Sequence, residues 1–203
     1  MLRAAPTFDR AIVERVQQQR SAPGRAAARA VSLVGAAPVV FLLALGWVLR
    51  TGQPRGRLAG RLLLVCGGAE LLDTTVKGIV QRPRPRPVQT RLPGQQFAFP
   101  SGHATVSAAF YSYVAYHNWQ RQRGPGRLTN AVRMTLFPLP VGLARVYLGT
   151  HYVTDVLGGY LLGLAWTGSV VAASDLLRWR HRKRRRVATV DPQVPLEEPG
   201  TGL

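Results

Sequence analysis

At 203 residues the chain holds one ordinary domain and little more, so one principal site is expected. Its 27 Lys and Arg stand against 9 Asp and Glu, and the formal charge of +18 narrows the partners to nucleic acid, an anionic membrane surface or a phosphorylated substrate. The lone cysteine, Cys66, excludes an intrachain disulfide and a cysteine-based zinc site.

In chain order, residues 1–30 are a polar, basic leader, within which "TFDRAIVERVQQQR" (7–20) reads equally as an interfacial amphipathic helix or as a frayed segment. The next run, "VSLVGAAPVVFLLALGWVL" (31–49), carries no charge, and at ~1.5 Å per residue it spans the roughly 30 Å of a hydrocarbon core. A polar stretch precedes it and no small-x-small cleavage site follows, which separates it from a secretory signal. Further spans fit 58–80, 102–118, 131–149 and 156–177. The expected fold is therefore all-α, a polytopic membrane helical bundle of about five transmembrane helices over 31–177, with its site at one membrane face. The tail, 178–203, is basic and then, after Arg186, aperiodic and expected to be disordered. Apolar spans of this kind turn the charge toward the bilayer and its phosphates, with no nucleic acid as partner.

The connections between spans alternate sides. Five helices place 50–57, 119–130 and "RWRHRKRRR" (178–186) on one face, which holds thirteen basic residues and is cytoplasmic by the positive-inside rule. The loop 81–100 and the short "GTHYVT" (149–154) then share the outer face. Six arginines before residue 30 and those of the 81–100 loop weigh against that orientation.

Three clusters on the outer side carry possible chemistry. "FPSGHAT" (99–105) puts Ser101 at a plausible N-cap of the third span, where unpaired backbone N–H groups attract anions, Gly102 permits close approach and His103 faces the anion. Turn and cap punctuation is the plainer reading. In "ARVYLGTHYVTD", Arg145 precedes His151, and Asp155 follows it by four residues. If the fifth helix begins near His151, Asp155 can accept a hydrogen bond from one imidazole nitrogen, fix the tautomer and leave the other nitrogen as a nucleophile. A His-Asp pair that only caps a helix is the alternative. In "KGIVQRPRP", Lys77 ends the second span, with Glu70 and Asp73 on its face, so Asp73 can hold Lys77 in place or the group can simply satisfy itself. The Arg-Pro pairs that follow stiffen the loop.

Together these residues resemble the type 2 phosphatidic acid phosphatases, the lipid phosphate phosphatase superfamily that shares its site with vanadium haloperoxidases. The likeness covers about residues 60–175. The family's Lys followed after six residues by Arg-Pro matches Lys77 and Arg84-Pro85, and its Pro-Ser-Gly-His matches Pro100, Ser101, Gly102 and His103. Its third motif matches at Arg145, His151 and Asp155, with Ala144 where the family has a serine.

The resemblance implies that Lys77, Arg84, Arg145, Ser101 and the Gly102 amide hold the phosphoryl oxygens. It implies His151 as nucleophile, Asp155 as its orienting partner and His103 as the acid for the leaving oxygen. No metal and no cofactor are implied, since three cations and a helix N-terminus supply the electrostatics. The expected partner is a membrane lipid phosphate substrate: a polyprenyl diphosphate, phosphatidic acid or phosphatidylglycerophosphate, with a lean toward polyprenyl carrier recycling at the outer side of a bacterial inner membrane. Two rival readings are a vanadate-binding haloperoxidase-like enzyme and a non-catalytic basic membrane protein that binds anionic lipid through its tail.

Overall fold

Prolines and glycines decide where the helices start and stop. The computed structural model describes residues 4–51, 55–86 and 95–188, and its elements are helical. Helix α1 (Thr7–Gln18) begins directly after Pro6. Helix α2 (Ala22–Leu33) is capped by Ser21, whose side chain accepts from the Gly24 N–H at 3.1 Å. Next come α3 (Ala37–Arg50), α4 (Arg55–Val80) and α5 (Gly102–Arg121), then α6 (Gly126–Leu136), α7 (Leu139–Tyr147) and α8 (Val153–Ala188). An isolated antiparallel bridge between Pro83 and Phe97 ties off the α4–α5 loop.

Two of the expected spans are not single helices. The run 31–49 breaks between α2 and α3, which meet at a 50° bend. A Cβ on Gly35, in that bend, would stand 2.3 Å from Val141 Cγ1 and 3.2 Å from the His103 carbonyl, so only glycine lets the corner pack there. The run 131–149 is divided between α6 and α7, because Pro138 and Pro140 remove two N–H donors from the helical ladder. Among the described residues one stretch, Val153–Arg180, is long and apolar enough to cross a membrane as a single helix, and α2 with α3 qualifies as a bent pair. The fifth helix begins at Val153 and not at His151, and residues 7–18 are helical.

Contacts divide the chain into two units after Gly168. In the first, α5 is the central element, with Ala104–Tyr111 and Tyr113–Ala115 all buried. Its interior mixes small, aromatic and β-branched residues with buried polar ones such as Asp73, Lys77 and Thr105, whereas many leucines point outward: Leu63, Leu71, Leu143 and Leu161 are each about two-thirds exposed. That inversion of a water-soluble protein's pattern suits a hydrocarbon surround. Helix α8 lies against α5 along a row of small residues one turn apart. A Cβ on Gly159 would stand 2.7 Å from the Ser101 carbonyl, one on Gly163 would stand 2.3 Å from the Thr105 carbonyl, and the Thr167 hydroxyl donates to the Ala109 carbonyl at 3.1 Å. In the second unit the described residues of α8 carry an Arg178–Asp175 ion pair and a Lys183 ammonium 5.5 Å from the Trp179 ring centroid. Of the tail expected to be disordered, 189–203 lie outside the described residues.

Candidate active site

Three segments converge at one end of α5: the end of α4 with its following loop, the start of α5 itself, and the turn from α7 into α8. His151 lies buried in that turn and is held at both ring nitrogens. Its Nδ1 is 2.8 Å from the Ala98 carbonyl oxygen, and its Nε2 is 2.8 Å from Arg84 Nη1. A carbonyl only accepts and a guanidinium only donates, so the proton sits on Nδ1 and the lone pair on Nε2. Burial, reinforced by the charges of Arg84, Arg145 and Lys77 and by His103, holds His151 well below the ordinary imidazole value of 6.5 and keeps the ring neutral at pH 7. Arg84 also donates to the Thr150 carbonyl at 3.0 Å and to the Gln95 carbonyl at 2.8 Å. Burial lowers its pKa, with Asp155 and Asp73 acting in the opposite sense.

Asp155 is beside His151, yet it does not accept a hydrogen bond from the imidazole as the four-residue spacing suggested. Its Oδ2 stands 3.7 Å from Nδ1 and accepts instead from the Tyr152 N–H at 2.8 Å, closing the first turn of α8 in the manner of a capping box. Its Oδ1 accepts from Arg82 Nη1 at 2.8 Å. The reason is local: α8 starts at Val153, so His151 sits outside the helix and the one-face rule for residues four apart does not apply to it.

On α4, Lys77 and Asp73 form an ion pair whose side chains are both fully buried. The Thr105 hydroxyl lies 3.2 Å from Asp73 Oδ1 and 3.1 Å from the Ser101 carbonyl, which ties α4 to α5. A Cβ on Gly102 would stand 2.9 Å from Asp73 Oδ2 and 3.2 Å from Lys77 Nζ, so the absent side chain is what admits the ion pair to the start of α5. Glu70 is the third member of that face, with its Oε1 accepting from Gln95 Nε2 at 3.5 Å.

Ser101 occupies the N-cap position of α5, but its side chain makes no capping bond, and its amide donates to the Asp155 carbonyl at 3.0 Å. Arg145 donates from Nη1 to Ser32 Oγ at 3.1 Å. Ser101 Oγ and Arg145 Nε are buried with no hydrogen-bond partner, and buried donors left open in this way call for an acceptor. His103, half-buried in the first turn of α5, completes the group. Among the described residues no three His, Cys, Asp or Glu side chains gather as a metal-ligand group.

Every site residue singled out from the sequence is thus found in this one region. Sequence reasoning passed over Arg82, Thr105, Gln95, Ser32 and the Ala98 carbonyl. Thr105 had a signal, its place one turn after Ser101, and Arg82 was visible as a neighbour of Arg84. The Ala98 contact comes from a main-chain carbonyl, which any residue type would supply.

The PAP2 superfamily profile matches residues 58–179. Phosphatidylglycerophosphatase B of Bacillus subtilis is 37% identical over 105 residues, 51% of each chain, so the match spans about half of that relative's length. Decaprenylphosphoryl-5-phosphoribose phosphatase of Mycobacterium tuberculosis is 31% identical over 153 residues, which are 69% of this chain and 77% of the relative. Among solved structures, the transmembrane PAP2-type phosphatidylglycerolphosphate phosphatase from Bacillus subtilis superposes with a TM-score of 0.68 at 28% identity, covering 83% of this chain and 85% of that one. Aquifex aeolicus LpxE shares the fold, with a TM-score of 0.57 at 19% identity over 79% of this chain and 92% of its own. The leucine-rich exterior and these likenesses converge: the chain belongs to the PAP2 superfamily.

Proposed function

We propose that the protein removes phosphate from a membrane lipid phosphate through a phosphohistidine intermediate, without a metal ion. The observation that carries this reading is the state of His151: neutral, protonated on Nδ1 against the Ala98 carbonyl, with its Nε2 lone pair turned toward the cations. Substrate phosphate draws Arg84 from Nε2 to a phosphoryl oxygen, where Lys77, Arg145, Ser101 and the Gly102 amide join it. Nε2 then forms a bond to phosphorus as the bond from phosphorus to the lipid oxygen breaks, and His103 gives that oxygen its proton. The Asp155 carboxylate, 3.7 Å from Nδ1, stabilises the positive ring. His103, now neutral, takes a proton from water, whose oxygen attacks phosphorus, breaks the P–N bond and releases inorganic phosphate.

The substrate's tail fits an apolar cavity of about 700 Å³ among α1, α2, α7 and α8, lined by Ile12, Val31, Leu143, Val153 and Leu157 and continuous with Ala144 and Val146 on either side of Arg145. Phosphatidylglycerophosphate and polyprenyl-linked phosphates head the panel because the relatives are named for such lipids. The site faces outward, an orientation resting on the distribution of basic residues between spans.

The test is phosphate release from a panel of lipid phosphates by purified protein in detergent with chelator present. Turnover should persist under chelation, be inhibited by orthovanadate and disappear in His151→Ala. More than about a hundredth of the wild-type rate in that variant excludes His151 as nucleophile. His103→Ala should hurt alkyl phosphates more than aryl phosphates, whose leaving groups need little acid assistance.

A further inference from the structure

The amphipathic segment near the N-terminus, to which the sequence assigned no function, packs along the turn that carries His151. Its residues at one-turn intervals meet successive parts of that turn. Gln17 lies where a Cβ on Gly149 would be, 1.9 Å from its Nε2, and Gly149 has the left-handed φ of +69° that the turn requires. Val13 belongs to the apolar cluster that includes Ala98, Val146, Tyr152 and Val156. Asp9, 0% exposed, accepts from the Thr154 N–H at 3.2 Å and from the Thr154 hydroxyl.

Those bonds continue to the reaction centre. The Thr154 oxygen that donates to Asp9 accepts from Arg82 Nη1 at 2.8 Å, and the same Nη1 donates to Asp155 Oδ1 at 2.8 Å. Arg82 is further fixed by the Phe99 ring, whose centroid is 4.8 Å from its Cζ. The other oxygen of Asp155 faces His151 Nδ1.

We propose that α1 is an active-site element and that Asp9 is a positioning residue, acting through Thr154 and Arg82 on the Asp155–His151 pair. This rests on the phosphohistidine reading above. Two buried carboxylates, one buried guanidinium and the part-buried Thr154 hydroxyl form a connected set at the N-terminus of α8, a place where negative charge is favoured. Without the Asp9 carboxylate, the Thr154 hydroxyl loses its acceptor and turns its proton elsewhere, Arg82 loses one of its anchors, and Asp155 is free to rotate away from the imidazole. This chain of side-chain bonds reaches the site on the Nδ1 side of His151, whereas Lys77, Arg84, Arg145 and Ser101 are the groups assigned to the phosphate, so substrate binding should be spared.

The experiment uses full-length protein in detergent, with Asp9→Ala, Asp9→Asn, Thr154→Val and Thr154→Ser assayed on an aryl phosphate and a lipid phosphate. Rates are referred to the folded fraction measured by thermal melting. Asp9→Ala and Thr154→Val should lower kcat about 10- to 100-fold, while KM and inhibition by inorganic phosphate stay within about twofold, and Thr154→Ser should keep most of the wild-type kcat. Wild-type kcat per folded molecule in Asp9→Ala, or a parallel loss of phosphate affinity, overturns the proposal and leaves α1 a packing element. If Asp9→Ala does not fold, Asp9→Asn and the two Thr154 variants decide by the same criteria. His151→Ala run alongside separates the two ideas: a fully active His151→Ala removes the phosphohistidine reading, whereas an inactive one beside an unimpaired Asp9→Ala removes only the role of α1.

Discussion

Adding one methyl group at Gly163 tests whether the contact between α5 and α8 sets the catalytic geometry. The new Cβ would lie 2.3 Å from the Thr105 carbonyl oxygen and 3.0 Å from Ala108 Cβ, whereas ordinary contact begins near 3.4 Å. The first obstacle is main chain and cannot swing aside, so the helices must part by about 1 Å. Such overpacking costs about 1–3 kcal/mol of stability. The larger effect is on rate. Helix α8 carries Asp155 and follows His151, and α5 carries Ser101, Gly102 and His103, so a displacement of about 1 Å separates the proposed nucleophile from the groups proposed to receive the phosphoryl charge and can cost about 100-fold in kcat. Gly78→Ala is the control, because a Cβ there meets nothing within 4 Å. Melting in detergent and phosphate release measured on the same samples separate stability from rate. A Gly163→Ala enzyme with wild-type kcat and melting temperature would refute the idea that this contact positions the site.

Gly102→Ala places a methyl group 2.9 Å from Asp73 Oδ2 and should lower kcat/KM by about 100-fold by pushing the Asp73–Lys77 pair off the start of α5; wild-type kinetics would show that the pair has room to move. Because His151 titrates below 6.5, its neutral, nucleophilic form persists as pH falls past that value, and the acid limb of kcat/KM due to this residue should lie below pH 6.5. Arg84→Ala removes a cation that depresses His151, so the residual activity of that variant should show the limb displaced upward; a limb that does not move assigns it to another group. Leu143→Trp, which narrows the apolar cavity, should raise KM for a long-chain lipid phosphate several-fold and leave a water-soluble aryl phosphate unaffected, and equal effects on both would place the tail elsewhere.

How legible all this was in the sequence depends on what kind of group does the work. Side chains able to bind or attack phosphate are few in type, and the match to the family's motif spacing singled out Lys77, Arg84, Ser101, His103, Arg145, His151 and Asp155, which the fold brings together. Their partners were less readable. The four-residue step from His151 to Asp155 suggested a direct bond, but the helix begins two residues too late, and the main-chain carbonyl of Ala98 accepts the hydrogen bond instead. Apolar runs marked the helical regions while misplacing their breaks, since hydropathy is blind to the missing donors of Pro138 and Pro140 and to the tight corner at Gly35. Asp9 was invisible as a site residue because its partner, Thr154, is 145 positions away and nothing local announces the contact.

The arrangement of small residues inside and leucines outside has a bearing on how such a protein can change over time. Outward side chains such as Leu63, Leu71, Leu143 and Leu161 meet few protein atoms, and exchange among Leu, Ile, Val and Phe there alters little beyond the surface offered to lipid. Inward positions such as Gly159 and Gly163 meet backbone directly, with the buried Ala104 and Ala108 packed beside them, and one added methyl group there shifts a helix. Sequence drift should therefore concentrate on the perimeter, where it retunes the fit to a membrane's thickness and composition. The interior then varies slowly even at positions far from any reacting atom. A library randomised over the outward leucines should return mostly active enzymes, while one of equal size over the inward glycines and alanines should return almost none.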